Sequence, residues 1–138
     1  MAADREIANF GSFMEGGDVY GFAQAVKSGD TIYVSGQTAM APDGRLAAKG
    51  DMEGQMREAY ANVARILEKL GASLSDVVDE TLFVSDMNAA VRCAARVRKQ
   101  VYSGYFEMAS SLVGVAGLGS PDVLIEIKCT ARVRGARG

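Results

Sequence analysis

From Met52 onward the apolar residues Met56, Tyr60, Val63, Leu67 and Leu70 recur at intervals of three and four, while Glu53, Arg57, Glu58, Arg65 and Glu68 take the other faces. That period predicts a helix buried along one stripe. Asp51 stands where a side-chain N-cap is wanted and Gly71 where a helix is readily stopped. A second pattern, Asn88 to Phe106, puts Ala90, Ala94, Val97, Val101 and Tyr105 on an inward stripe and Arg92, Arg96 and Lys99 on a different face. Strand patterns surround these helices. Val19 to Val26 and Thr31 to Ser35 are joined by Lys-Ser-Gly-Asp, which suits a hairpin turn. Ser75 to Asp86 predicts a strand with Val78, Leu82 and Val84 on one alternation, and Ser110–Val115 and Val123–Val133 predict two more. Two helices can cover only one face of so many strands. The expected fold is therefore an α+β two-layer sandwich, a mixed sheet of about six strands with both helices on one face. The uncovered face still carries Val, Leu and Ile, which predicts self-association, most economically as a closed cyclic oligomer.

The 138 residues suit one domain, 1–138, with 1–16 and 134–138 expected to be peripheral or mobile. Fifteen Lys plus Arg against seventeen Asp plus Glu give a net charge of -2, so no overall field recruits nucleic acid or anionic membrane. The start of the chain has charges of both signs and no apolar core segment, and no run of about 18 apolar residues occurs, so a cytoplasmic, non-membrane location is expected. Cys93 and Cys129 stand far apart and form no C-x-x-C pair; both are expected as reduced, buried thiols. There is no histidine. That removes Ser-His-Asp and Cys-His nucleophile systems and the common zinc sites, so no metal or cofactor is expected. Any chemistry must run on carboxylates, hydroxyls, backbone groups and water.

Three segments in order, FAQAVKSGDTIYVSGQ (22–37), LGASLSDVVDETLFVSDM (70–87) and ASSLVGVAGLGSPDVLIEIKCTARV (109–133), resemble the RidA (YjgF) family of enamine/imine deaminase-like proteins. The resemblance implies a chorismate-mutase-like fold, a homotrimer whose sheets form a central barrel, and small-molecule clefts between subunits. It also implies hydrolysis of 2-aminoacrylate-type imines to 2-keto acids and ammonia. In that chemistry an arginine holds the substrate carboxylate and a glutamate near the last strand handles water. Carried over, the glutamate is Glu126, a backbone contact falls at Gly36, and Phe22 takes the place of a cleft tyrosine. A further backbone contact falls at Leu112. The family's Pro-Ala-Arg-Ser reads Met108-Ala109-Ser110-Ser111, so the arginine is Ser110.

An arginine grips a carboxylate through two charge-assisted bonds worth roughly 1.5 to 3 kcal/mol each, whereas one neutral hydroxyl bond is worth about 1 kcal/mol. By that difference affinity for a 2-imino acid should fall by about two powers of ten or more. Arg98 or Lys99 is the alternative source of a cation. Ser110 lacks a base and is not expected to be a nucleophile. The basic stripe of Arg92, Arg96 and Lys99 is the place RNA would contact, but a solvated helix exterior is the simpler reading. Cys93 stands beside Arg92, which would lower its thiol pKa if exposed, but it is not read as reactive. Two functions stay open: hydrolysis of an imine, enamine or related small C–N compound with Glu126 acting on water, or a non-catalytic ligand-binding, chaperone-like or regulatory trimer. Ribonuclease ranks below both.

Overall fold

The computed structural model describes residues 4–10, 20–104 and 106–134. Helix α1, Met52–Lys69, begins where Asp51 accepts from the Gly54 amide at 3.1 Å, and Gly71, at φ 78°, follows its end. Its inward stripe includes Met56, Tyr60, Val63 and Leu67, as the spacing predicts, and also two polar residues, Gln55 and Asn62. Helix α2 is Met87–Val101, capped by Asp86 accepting from Ala89 at 3.1 Å. It stops five residues short of the expected Phe106. Ser103 and Gly104 adopt φ of 51° and 82°, which no α-helix continues through, and Tyr102 turns inward in the place the pattern gave to Tyr105. Tyr105 lies outside the described residues.

Six strands form one sheet: β1 Arg5–Ala8, β2 Ala25–Ser28, β3 Thr31–Gln37, β4 Val77–Val84, β5 Ala109–Gly114 and β6 Ile125–Arg132, in the spatial order β1-β2-β3-β6-β4-β5. Only β4 and β5 pair in parallel, because α2 carries the chain back to the sheet's starting end between them. The remaining ladders are antiparallel. The α+β class, the six strands and the two helices packed on one face match the expectation. The first strand is shorter than Val19–Val26: β2 starts only at Ala25, and residues 11–19 lie outside the described set. Strand β1 adds an edge within the stretch expected to be peripheral. The 135–138 part of the expected mobile tail is outside the described residues.

The face read for β4 needs one correction. Val77 pairs with Ala131, but Asp79 pairs with Thr130, so Val78 is an extra residue in a bulge. Val77 is buried and Val78 is 42% exposed. Beyond the bulge Glu80, Leu82 and Val84 point to the helices. On β6 Ile125, Ile127, Cys129 and Ala131 do the same, while Glu126, Lys128, Thr130 and Arg132 take the open face. The core lies between the sheet and the two helices, with Ile32, Val34, Ile66, Leu67, Leu82 and Ile127 fully buried.

Candidate functional site

A second bulge shapes an apolar cavity. Val34 pairs with Cys129 and Gln37 with Ile127, leaving Ser35 and Gly36 opposite a single residue of β6. The extra residue turns Gly36 against the side chain of Glu126: a Cβ built on Gly36 would fall on the Glu126 carboxylate. Glycine lets the carboxylate lie there by close approach rather than by backbone dihedral, since any side chain would displace Glu126. Together Gly36 and the half-buried Glu126 line a cavity of about 340 Å³ at the end of β3 and β6. Phe10, Tyr20 and Phe22 supply an aromatic wall, with Tyr20 and Phe22 ring centroids 6.3 Å apart at 48°. Met40, Pro42 and Val123 close the other sides.

Helix α1 holds two of those walls. Asn62 Nδ2 donates to the carbonyls of Thr38 at 2.8 Å and Met40 at 2.7 Å, pinning the loop after β3. The fully buried Gln55 donates to the Asp122 carbonyl at 3.0 Å and accepts from the Leu124 amide at 2.9 Å, fixing Val123 between them. Sequence reasoning passed over both. The signal was a polar residue at an inward position of the 3.6 period. Gln24 accepts from the Phe10 amide at 2.7 Å, which ties the aromatic wall to the start of β2.

Of the residues singled out from sequence, Phe22, Gly36 and Glu126 meet at this cavity. Ser110 and Leu112 do not line it; they lie on β5, the outer strand. Ser110 faces the helix side of the sheet, in register with Glu80, and its hydroxyl donates to Glu80 Oε2 at 2.6 Å. Glu80 is wholly buried. Its other oxygen, Oε1, accepts from Tyr60 at 2.7 Å and from Tyr102 at 2.6 Å. The two rings meet edge to face, with centroids 5.7 Å apart. Burial, and then the Glu80 charge beside them, push both phenols far above the ordinary tyrosine range. They remain donors at any physiological pH. A buried carboxylate is thus satisfied by three hydroxyls, and nothing in the apolar pattern announced it.

The other candidate groups sort out simply. Cys129 is buried, and burial, with the Glu80 charge, pushes its thiol up to about 12. Cys93 is buried too, and burial raises its pKa, outweighing the neighbouring Arg96 and Arg57, as a buried thiol not expected to be reactive should show. In the basic stripe of α2, Arg96 binds Glu53 of α1 at 2.5 Å and Arg57 binds the same carboxylate at 2.8 Å. Arg96 is therefore a helix-to-helix tether. Among the described residues no helix is long and apolar enough to cross a membrane.

Residues 18–133 match the family model described as Endoribonuclease L-PSP. A RutC family protein of Pyrococcus abyssi is 38% identical over 112 residues, spanning 80% of this chain and 84% of that relative. The 2-iminobutanoate/2-iminopropanoate deaminase of Dermatophagoides farinae is 33% identical over 97 residues, spanning 70% and 74%. The crystal structure of a Mycobacterium tuberculosis member of the YjgF/YER057c/UK114 family superposes with a TM-score of 0.78 at 29% identity, covering 94% of this chain and 99% of that one.

Proposed function

The chain belongs to the Endoribonuclease L-PSP (YjgF/RutC) family, which includes RidA-like proteins, and from that premise we propose that it is a trimer that hydrolyses a small imine, enamine or related C–N compound in clefts between subunits. The observation that carries this reading is the Glu126 carboxylate lodged over Gly36 at the mouth of an aromatic cavity. Water held by Glu126 would attack the carbon of C=N. The new C–O bond forms as Glu126 takes one water proton and passes it to nitrogen; the hydroxyl of the resulting carbinolamine then gives its own proton, again through Glu126, to that nitrogen as the C–N bond breaks, leaving a carbonyl compound and ammonia. Support for self-association comes from the open sheet face, where Tyr33, Val78 and Val113 stand exposed. In the trimer Ser110 of one protomer would border the cleft of the next.

The substrate is not a 2-imino acid. The position that would supply an arginine carries Ser110, and its one proton is already given to Glu80. Nor does the family's endoribonuclease name fit the charge: Arg96, the middle of the basic stripe, is tied to Glu53 in a protein of net charge -2.

The test is to release imines in situ, with and without a carboxylate beside the C=N, and to follow ammonia. Acceleration of the carboxylate-free imine by the parent, lost in Glu126→Gln, is the expected result. Equal acceleration of 2-aminoacrylate would overturn the argument from Ser110. Buffer rates for every imine would leave the non-catalytic trimer as the surviving reading.

A further inference from the structure

Resting on the reading of this cavity as the ligand site, we infer that it selects a small organic cation, a protonated imine or amidine with an apolar body, and excludes carboxylates. The first ground is charge. Among the described residues that line the cavity, Glu126 is the one ionisable carboxylate, and there is no lysine or arginine. A ligand anion would face a like charge with no counter-ion, and a cation would meet its partner there.

The second ground is the supply of hydrogen-bond donors. An anion needs N–H or O–H groups, and the protein itself takes three of the four side-chain N–H donors of Asn62 and Gln37 in the lining. Both Nδ2 hydrogens of Asn62 go to the Thr38 and Met40 carbonyls, and one of the two on Gln37 Nε2 goes to the Ser35 carbonyl at 3.1 Å. The third ground is the aromatic wall. Tyr20 and Phe22 are 62% and 51% exposed, so they can offer ring surface, whose negative face attracts a cation.

Ser110 bears on the same polarity from outside the cavity. Because its hydroxyl donates to Glu80, its oxygen can offer only lone pairs to anything that approaches from solvent. In the proposed trimer it would thus add an acceptor to the cleft where an arginine would have added five donors. Polarity would be reversed at that corner, and the reversal agrees with the lone carboxylate at the other. An iminium ion also carries its charge on the group that water attacks. The carboxylate that attracts it is then the one placed to take the water proton.

Three probes of similar size and different charge test this: benzamidine, benzyl alcohol and benzoate. Each is titrated into the assembled protein at low salt, with binding followed by calorimetry and by the amide shifts of Gly36 and Phe22. Benzamidine should bind at least tenfold more tightly than either of the others. Glu126→Gln should erase that gap while leaving benzyl alcohol unchanged, and Phe22→Ala should weaken benzamidine in a chain whose far-ultraviolet spectrum is that of the parent. Benzoate binding as well as benzamidine at those amides would overturn the cation preference and leave the small-molecule cleft standing. If no probe of any charge shifts those amides, both fall together.

Discussion

Removing the Tyr102 hydroxyl tests whether the buried Glu80 cluster is held as its geometry states. Tyr102→Phe deletes one oxygen, keeps the ring packed against Tyr60, and takes a 2.6 Å bond from a carboxylate that is wholly buried. A hydrogen bond to a charged group contributes about 1.5 to 3 kcal/mol, so a loss of about 2 kcal/mol is expected. Tyr60→Phe removes the partner bond at 2.7 Å to the same oxygen and should cost a similar amount. The two losses should not add. After both substitutions Oε1 has neither phenol, and only Ser110 still reaches Glu80, so the second loss should exceed the first by about 1 kcal/mol or more. Glu80→Gln should be milder than the double variant, because an amide oxygen can still accept from the phenols while its NH₂ group turns to Ser110. Urea unfolding at one fixed protein concentration measures all four, since the stability of the proposed trimer would vary with concentration. Tyr102→Phe within about 0.5 kcal/mol of the parent, the range of an ordinary surface substitution, would refute the assignment of these bonds.

Gly36→Ala places a methyl group on the Glu126 carboxylate, whose flexible end can swing away, so stability should change by less than about 1 kcal/mol while ligand affinity falls at least tenfold; unchanged binding in calorimetry would remove Glu126 from the site. Glu53 gives a pH prediction: Arg96, and then Arg57, hold its carboxyl at about 2, below the ordinary value of 4.5. A carboxyl lowered in the folded state contributes stability that is complete above its unfolded value and is lost as the pH falls through the folded one. The gap in urea midpoint between the parent and Glu53→Gln should therefore close between about pH 5 and 2, and a gap that stays constant across that window would contradict the pairing.

The first helix was legible because capping and period agree: Asp51 caps it, and the stripe from Met56 to Leu67 is the buried one; the second was legible from its period alone, and its Asp86 cap went unread. The class of fold followed from counting how much sheet two helices can cover. The end of α2 was not legible, because nothing in the 3.6 period marks where Ser103 and Gly104 take positive φ. Strand β1, four residues with two charges, is too short to show an alternation and has the polarity of an edge. Glu80 was missed for a subtler reason. Read strictly by twos from Leu82 and Val84, it belongs on the inward face, but Val78 lies on the same parity and looked like the natural inward residue. The bulge moved Val78 out and left the carboxylate in.

That carboxylate changes what the substitution at position 110 means. Taken alone, Ser110 looks like an arginine that was lost, and restoring it looks like a way to regain carboxylate binding. In the structure, position 110 lies on β5 directly beside Glu80 on β4, both on the helix side of the sheet. A guanidinium placed there would find a buried carboxylate one strand away, closer than any ligand across a subunit boundary, and would pair with it. Glu80 and the small hydroxyl at 110 are therefore parts of one arrangement: the serine completes the satisfaction of a carboxylate that Tyr60 and Tyr102 satisfy on one side only. The same bond turns the serine's lone pairs outward. In the proposed trimer, the feature that closes the core and the feature that would set the polarity of the cleft's rim are then a single proton, and neither could be altered without the other.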